Sequence, residues 1–275
     1  MSLPAPTARS RFAAMVARPD DEVDLAAATL LIAAEEYPQL VPEAYVRRLD
    51  ELAERVRDRQ WDATAPVVIL QDLNRVLFEE EGFRGNSDNY YDPRNSFLND
   101  VLDRRLGIPI TLSVIYLEVG WRLGLPLQGV NFPGHFLVRY DGEALKLLVD
   151  PFQGGLLRFE DEAQGLLDHV YGGAVPLQQD YLRKAGPKDI LVRMLENLKG
   201  NYLNARDDAR ALTALERILL VRPDSADHVR DSGIVLTRLG READAAAALE
   251  RYLELVPDAP DRVRVRMLLD QLDRP

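Results

Sequence analysis

Between residues 10 and 83 the apolar positions recur at helical spacing. In "VPEAYVRRLDELAERVRDR", Tyr45, Leu49, Leu52 and Val56 follow one another at intervals of 4, 3 and 4. That is one face of an amphipathic helix, with Pro42 near its first turn. Upstream, "DLAAATLLIAAEEYP" is apolar nearly all round. It predicts a buried helix capped by Asp24 and stopped at Pro38. Downstream, "PVVILQDLNRVLFEEEGF" repeats the amphipathic pattern through Ile69, Leu73, Val76 and Leu77 and ends near Gly82. Together these segments predict an N-terminal helical layer over 10–83.

From residue 84 to 185 the pattern changes. "GNSDNYYDPRNS" is dense in turn-forming residues, and Asp92-Pro93 is placed to start a turn. Asn95 or Ser96 can cap a short helix over "FLNDVLDRRLG", which Gly107 would close. "IPITLSVIYLEVGWRLGLP" predicts a helix that starts at Pro109 and is ended by Gly124 and Pro126. It is apolar on almost every side, which marks it as central. Its polar exceptions are Thr111, Ser113, Glu118 and Arg122. Thr111 and Glu118 share a face, and Glu118 and Arg122 form an i,i+4 pair.

Two runs of period-two alternation follow, "HFLVRY" and "EALKLLVD", joined by Asp141-Gly142. That dipeptide favours a two-residue hairpin loop, which would pair Tyr140 with Glu143 and His135 with Leu148. His135 and Asp150 then share one face as diagonal neighbours, roughly 7–8 Å apart by Cα. Phe136, Val138, Tyr140, Leu145, Leu147 and Val149 form the other face, apolar throughout and therefore core.

Residues 186–275 repeat. "ALERILLVRPD" (214–224) recurs as "ALERYLELVPD" (248–258), with seven identities in eleven positions and an offset of 34 residues. This is the period of tetratricopeptide repeats, helix pairs that stack on one another. Two units and a capping helix over about 259–272 are few for a free solenoid, so the segment is expected to lean on the domain before it.

Composition narrows the function classes. With 34 Lys+Arg against 45 Asp+Glu, the 275-residue chain carries a formal charge of −11. That argues against a nucleic-acid partner, since phosphate contacts need a basic surface. The absence of cysteine removes disulfides, thiolate metal sites and thiol catalysis together. No run approaches the length of a membrane span, and the first twelve residues have no apolar stretch of a secretory signal. A cytoplasmic protein without a cofactor or metal is the expectation. His169 and His228 lack metal-ligand spacing and are expected to be structural or surface residues.

The candidate chemistry lies at His135 and Asp150, a base and its orienting carboxylate, with Thr111 or Ser113 as a possible hydroxyl nucleophile. Tyr90, Asp92 and Asn95 could line a pocket beside the central helix, and Glu118 could be a buried acid with a raised pKa. The bland readings are a His–Asp pair that holds two strands, ordinary turn chemistry in 84–96, and a Glu118–Arg122 ion pair.

"NSFLNDVLDRRLGIPITLSVIYLEVGWRLGLPLQGVNFPGHFLVRY" followed by "LLVDPF" resembles the SirB-one-type branch of the transglutaminase-like superfamily, bacterial proteins that join such a core to a tetratricopeptide segment. The resemblance implies an α+β fold: N-terminal helices, a papain-like core with a central helix on an antiparallel sheet, and C-terminal helical repeats. In active members a cysteine opens the central helix, a histidine lies on one strand and an aspartate on the next. His135 and Asp150 match the last two. The cysteine position falls near Pro109–Thr111, where this chain has none. The implied function is a pseudoenzyme, a non-enzymatic interaction module whose repeats bind a protein or peptide. The alternative is a hydrolase or acyltransferase that uses Thr111 or Ser113 with His135 and Asp150. A third reading is a scaffold whose repeats dock on their own core.

Overall fold

A computed structural model describes residues 6–59 and 65–272. The chain divides into two compact units, Met1–Leu191 and Val192–Pro275.

In the first unit, α1 (Ala8–Val16), α2 (Leu25–Glu36) and α3 (Pro42–Arg57) build the helical layer. Asp24 caps α2 by accepting from the Ala27 N–H at 2.9 Å, as its position before an apolar run predicts. Leu49, Leu52 and Val56 of α3 are buried. The next segment differs from a plain helix. After α4 (Pro66–Asn74) the chain widens into a π-helical stretch, Arg75–Glu80. The extra residue per turn keeps Val76 and Leu77 buried and stacks Phe78 on Tyr116, with ring centroids 6.2 Å apart.

Two short parallel strands, β1 (Arg84–Gly85) and β2 (Leu106–Gly107), flank α5 (Leu98–Arg104). Neither Asn95 nor Ser96 caps α5. They end a short 3-10 turn, Pro93–Asn95, and α5 begins at Leu98 behind Phe97, which offers no side-chain cap. Arg105, at φ 61°, closes α5 in place of Gly107, which is drawn into β2.

The central helix α6 (Pro109–Arg122) forms although it is rich in β-branched residues. Its residues 109–120 are all buried, and burial outweighs weak intrinsic propensity. It packs on α2, α3 and α5 on one side and on strands β3 (Leu127–Val130) and β4 (Leu137–Asp141) on the other. The approach to the sheet is close: a Cβ on Gly120 would stand 2.1 Å from Leu127 Cδ1.

With β5 (Lys146–Asp150), β6 (Leu156–Arg158) and β7 (Lys184–Ala185), the sheet is antiparallel in the order β6-β5-β4-β3-β7. Tyr140 pairs with Leu147 rather than Glu143, because β4 runs on through Asp141, which pairs with Lys146. The hairpin loop is therefore Gly142–Leu145, closed by Gly142 N–H to Leu145 O at 3.1 Å. A shift of four positions is even, so the faces are unchanged. Phe136, Val138, Tyr140, Leu147 and Val149 are core, as the alternation predicts, while Leu145 is half-buried in the loop. The opposite face is also covered: Leu137 and Leu148 are buried with Ala163 and Leu167 of α7 (Ala163–Tyr171).

The second unit holds most of α8 (Pro187–Asn204), then α9 (Asp208–Val221), α10 (Ala226–Arg238), α11 (Glu242–Leu255) and α12 (Arg262–Leu272). The bounds of α9 recur 34 residues later in α11, which places the sequence repeat in helix pairs. A cluster of Leu212, Leu215, Val235, Leu236 and Ala245 joins α9, α10 and α11. Val229, Leu249, Tyr252 and Val265 extend that core to α12.

Candidate functional site

His135 stands in the turn between β3 and β4, two residues before β4, and not within a strand. The turn is tight: Gly134 has φ 69°, and the His135 N–H donates to Phe132 O at 3.0 Å. Asp150 ends β5. The pair meets: His135 Nε2 lies 2.9 Å from Asp150 Oδ1, with side chains 14% and 2% exposed. The contact is a close approach and not an aligned hydrogen bond, since the buried Nε2 has no hydrogen-bond partner among the described residues. Asp150 Oδ1 accepts instead from the backbone N–H groups of Phe152 and Gln153, at 3.1 and 3.2 Å. The carboxylate is thus the cap of a 3-10 turn, Pro151–Gln153.

The two hydroxyls are committed to backbone. Thr111 Oγ1 donates to Asn95 O at 2.7 Å and accepts from the Ile108 N–H at 3.1 Å. Ser113 Oγ donates to Phe136 O at 3.4 Å. Both residues are fully buried. In neither case does the hydrogen bond run to His135.

The loop 86–95 is brought to the pair by one side chain absent from the sequence reading. Phe152 packs edge-on against the His135 ring at 6.0 Å and against Tyr90 at 6.3 Å. A Cβ on Gly85 would stand 2.5 Å from the Phe152 ring, so β1 needs a glycine there. Tyr91 lies against Tyr90 at 5.4 Å and is 69% exposed. An aromatic rim therefore borders the histidine.

Asn95 holds the loop and is fully buried. Its Nδ2 donates to Asn89 O and Tyr90 O at 2.8 and 3.1 Å, and its Oδ1 accepts from Asn86 Nδ2 at 2.9 Å. Asp92 pairs with Arg94 and Arg104. Burial pushes its carboxyl up, but the Arg94 hydrogen bonds and charge outweigh this and hold it below the usual range. Asn86 and Arg104 gave no signal in the sequence because their bonds to Asn95 and Asp92 cross an irregular loop with no periodicity, and Phe152 gave none because only the fold brings Tyr90 to it.

Glu118 is not part of this group. It lies seven residues along α6 from Thr111, a rise of roughly 10 Å, and pairs with Arg122. Burial raises its pKa, partly offset by Arg122. Among the described residues there is no cluster of three His, Cys, Asp or Glu that could hold a metal ion. Nor is any helix long and apolar enough to cross a membrane.

Residues 43–196 match the family model described as transglutaminase-like superfamily, and residues 198–270 match a tetratricopeptide-repeat model. A UPF0162 protein of Xylella fastidiosa is 40% identical over 229 residues, covering 82% of each chain. A UPF0162 protein of Pseudomonas aeruginosa is 35% identical over 208 residues, 75% of this chain and 76% of that one. F-box only protein 21 of Mus musculus is 47% identical over 139 residues, which are 47% of this chain and 21% of that one.

Proposed function

Because the chain belongs to the transglutaminase-like superfamily, and because it carries tetratricopeptide repeats after that core, we propose that it is a non-enzymatic interaction module. Tetratricopeptide repeats generally mediate protein–protein interaction, and the second unit is the segment that binds the partner. The core serves as a rigid body, a pseudoenzyme of the SirB-one-type branch that acts in the cytoplasm.

One observation carries this reading. The two hydroxyls nearest the position where active relatives place their cysteine are both spent on backbone carbonyls, Asn95 O and Phe136 O. A Ser or Thr nucleophile needs its proton taken by the base, since a hydroxyl has almost no ionised population near neutral pH. Pro109, at the first position of α6, has no N–H to offer a developing oxyanion. Asp150 is occupied in capping the turn after β5. A module role also suits the F-box only protein, in which a similar segment is a small part of a far longer chain.

The test has two arms. Wild type, Thr111→Ala, Ser113→Ala and His135→Ala are assayed against activated acyl and amide substrates beside thermal melts. No turnover above background is expected. Turnover that disappears in His135→Ala and in one hydroxyl variant, with melting unchanged, would establish the hydrolase instead. In the second arm, captured partners are cross-linked to the full chain, and the linked residues are expected within 192–275. Cross-links confined to the His135 rim would move the binding site to the core.

A further inference from the structure

We propose that Ser225 is a covalent acceptor site: activated by His228 and Glu196, its hydroxyl takes one acyl group from a neutral ester or thioester donor.

Ser225 stands at the N-cap of α10, where a serine ordinarily accepts from a backbone N–H of the first turn. It makes no such bond. Its Oγ lies instead 2.7 Å from His228 Nδ1. The other ring nitrogen, Nε2, lies 3.3 Å from Glu196 Oε1 on α8. The acid settles the tautomer. The bond from His228 holds the Glu196 carboxyl below its usual range, so near neutral pH it is a carboxylate and can only accept. The ring proton therefore sits on Nε2, Nδ1 is a bare acceptor, and the Ser225 hydroxyl donates to it. A hydroxyl, a base and an orienting acid follow one another, all within the second unit. The core lacks this relay, since Thr111 and Ser113 give their protons to backbone carbonyls.

The helix start supplies the remaining part. The N–H groups of Ala226 and Asp227 directly follow the hydroxyl, and no acceptor among the described residues takes them. Unused donors beside a nucleophile at a helix entrance suit the oxyanion that forms when a hydroxyl attacks a carbonyl. In the step, Ser225 Oγ bonds to the acyl carbon and its proton passes to His228 Nδ1. The bond from that carbon to the leaving oxygen or sulfur then breaks, and the leaving group takes the proton from Nδ1. Charge narrows the donor. Asp224 and Asp227 flank Ser225 with side chains 81% and 79% exposed, so a phosphoryl donor is repelled where the acyl group enters. The His228 ring is only 11% exposed, and Nδ1 faces Ser225, so the ester formed there shields the base from water. One equivalent is taken up and no turnover follows.

The experiment treats the full chain with p-nitrophenyl acetate, follows release of p-nitrophenolate, and locates the acetyl group by peptide mass mapping, with thermal melts alongside. Wild type should release one equivalent in a fast phase and retain the acetyl group on Ser225. Ser225→Ala and Ser225→Gly should both lose that phase while still folded, since the side chain caps no backbone group. His228→Gln should slow it at least about tenfold, the lower end of what a general base contributes. Glu196 is a positioning residue. Glu196→Gln should slow the phase less than His228→Gln does and displace the midpoint of its pH–rate curve, which a merely structural contact would leave in place. Absence of a fast phase in wild type would overturn the proposal, as would acetylation confined to lysines. A fast phase that survives in Ser225→Ala or at full rate in His228→Gln would overturn it too. Sustained release beyond one equivalent, lost in Ser225→Ala, would make Ser225 the nucleophile of an esterase instead of an acceptor, and only that outcome would also end the non-enzymatic reading.

Discussion

Each unit carries a histidine beside a carboxylate, half-buried in the core and buried in the repeats, and the two pairs are built differently. In the core, His135 approaches Asp150 at 2.9 Å, and that carboxylate is 2% exposed and caps backbone N–H groups. In the repeats, His228 of α10 pairs with Glu196 of α8 at 3.3 Å, and its other ring nitrogen lies 2.7 Å from Ser225 Oγ. Glu196 is 39% exposed. The first pair is set by backbone turns on both sides. The second joins two helices through side chains that water can reach. A histidine and an acid in contact therefore do not identify a catalytic site. What matters is whether the acid and the neighbouring hydroxyls remain free, and in the core Asp150 Oδ1, Thr111 Oγ1 and Ser113 Oγ all bond to backbone.

The comparison breaks first at Asn95, the deepest part of the core network. Asn95→Ala would strand Asn86 Nδ2 and the carbonyls of Asn89 and Tyr90. A cost of about 3 kcal/mol is expected, the scale of buried polar groups left unpaired. Urea unfolding followed by tryptophan fluorescence measures it, and a loss under about 1 kcal/mol would mean that the loop is not held this way.

Asp150 sharpens the distinction between cap and ion pair. Asp150→Ala removes both functions and should cost about 2 kcal/mol. Asp150→Asn keeps an acceptor for the Phe152 and Gln153 N–H groups, and should cost less than half as much if capping is the main role. Equal losses would assign the energy to the contact with His135. His135→Ala and His228→Ala should each cost about 1 kcal/mol, an ordinary value for a partly packed side chain.

Much of this was legible in sequence where the cause is local. The cap of α2 at Asp24, the start of α6 at Pro109, and the 34-residue offset of α9 and α11 follow from patterns within a few turns of chain. Alternation keeps the two faces of the hairpin even when its register moves by four, but His135 reaches Asp150 from the turn before β4 and not from a strand. The register itself was not legible: Asp-Gly favours a two-residue loop, but β4 extends to pair Asp141 with Lys146, which also form a salt bridge at 3.2 Å. Asn95 looked like a helix cap because nothing local shows that its amide is taken by residues 86–90. The Phe152–Gly85 contact was hidden for the same reason: it depends on segments that only the fold makes adjacent.

The smallest expected effect separates the units by pH. Glu118 in the core and Glu196 in the repeats start from the same ordinary value, 4.5, and move in opposite directions. Burial raises Glu118, so the folded core holds this proton more tightly than the unfolded chain does. Its contribution to stability is therefore complete below about 4.5 and declines as pH rises through the raised value. The hydrogen bond from His228 lowers Glu196. Its contribution is present above 4.5 and is lost as pH falls through the lowered value. Glu118→Gln should thus gain on wild type as pH rises past 4.5, with Arg122 retaining its bond to Asp50 at 2.7 Å. Glu196→Gln should fall behind wild type above 4.5 and draw level with it in acid. Trp121 lies on α6 in the first unit, so its fluorescence follows the core, while helical ellipticity also reports the repeats. The Glu118 effect should appear in both signals and the Glu196 effect chiefly in ellipticity. Parallel pH curves for the two variants would show that the two acids are not held in opposite ways, and would remove the electrostatic part of the contrast between the units.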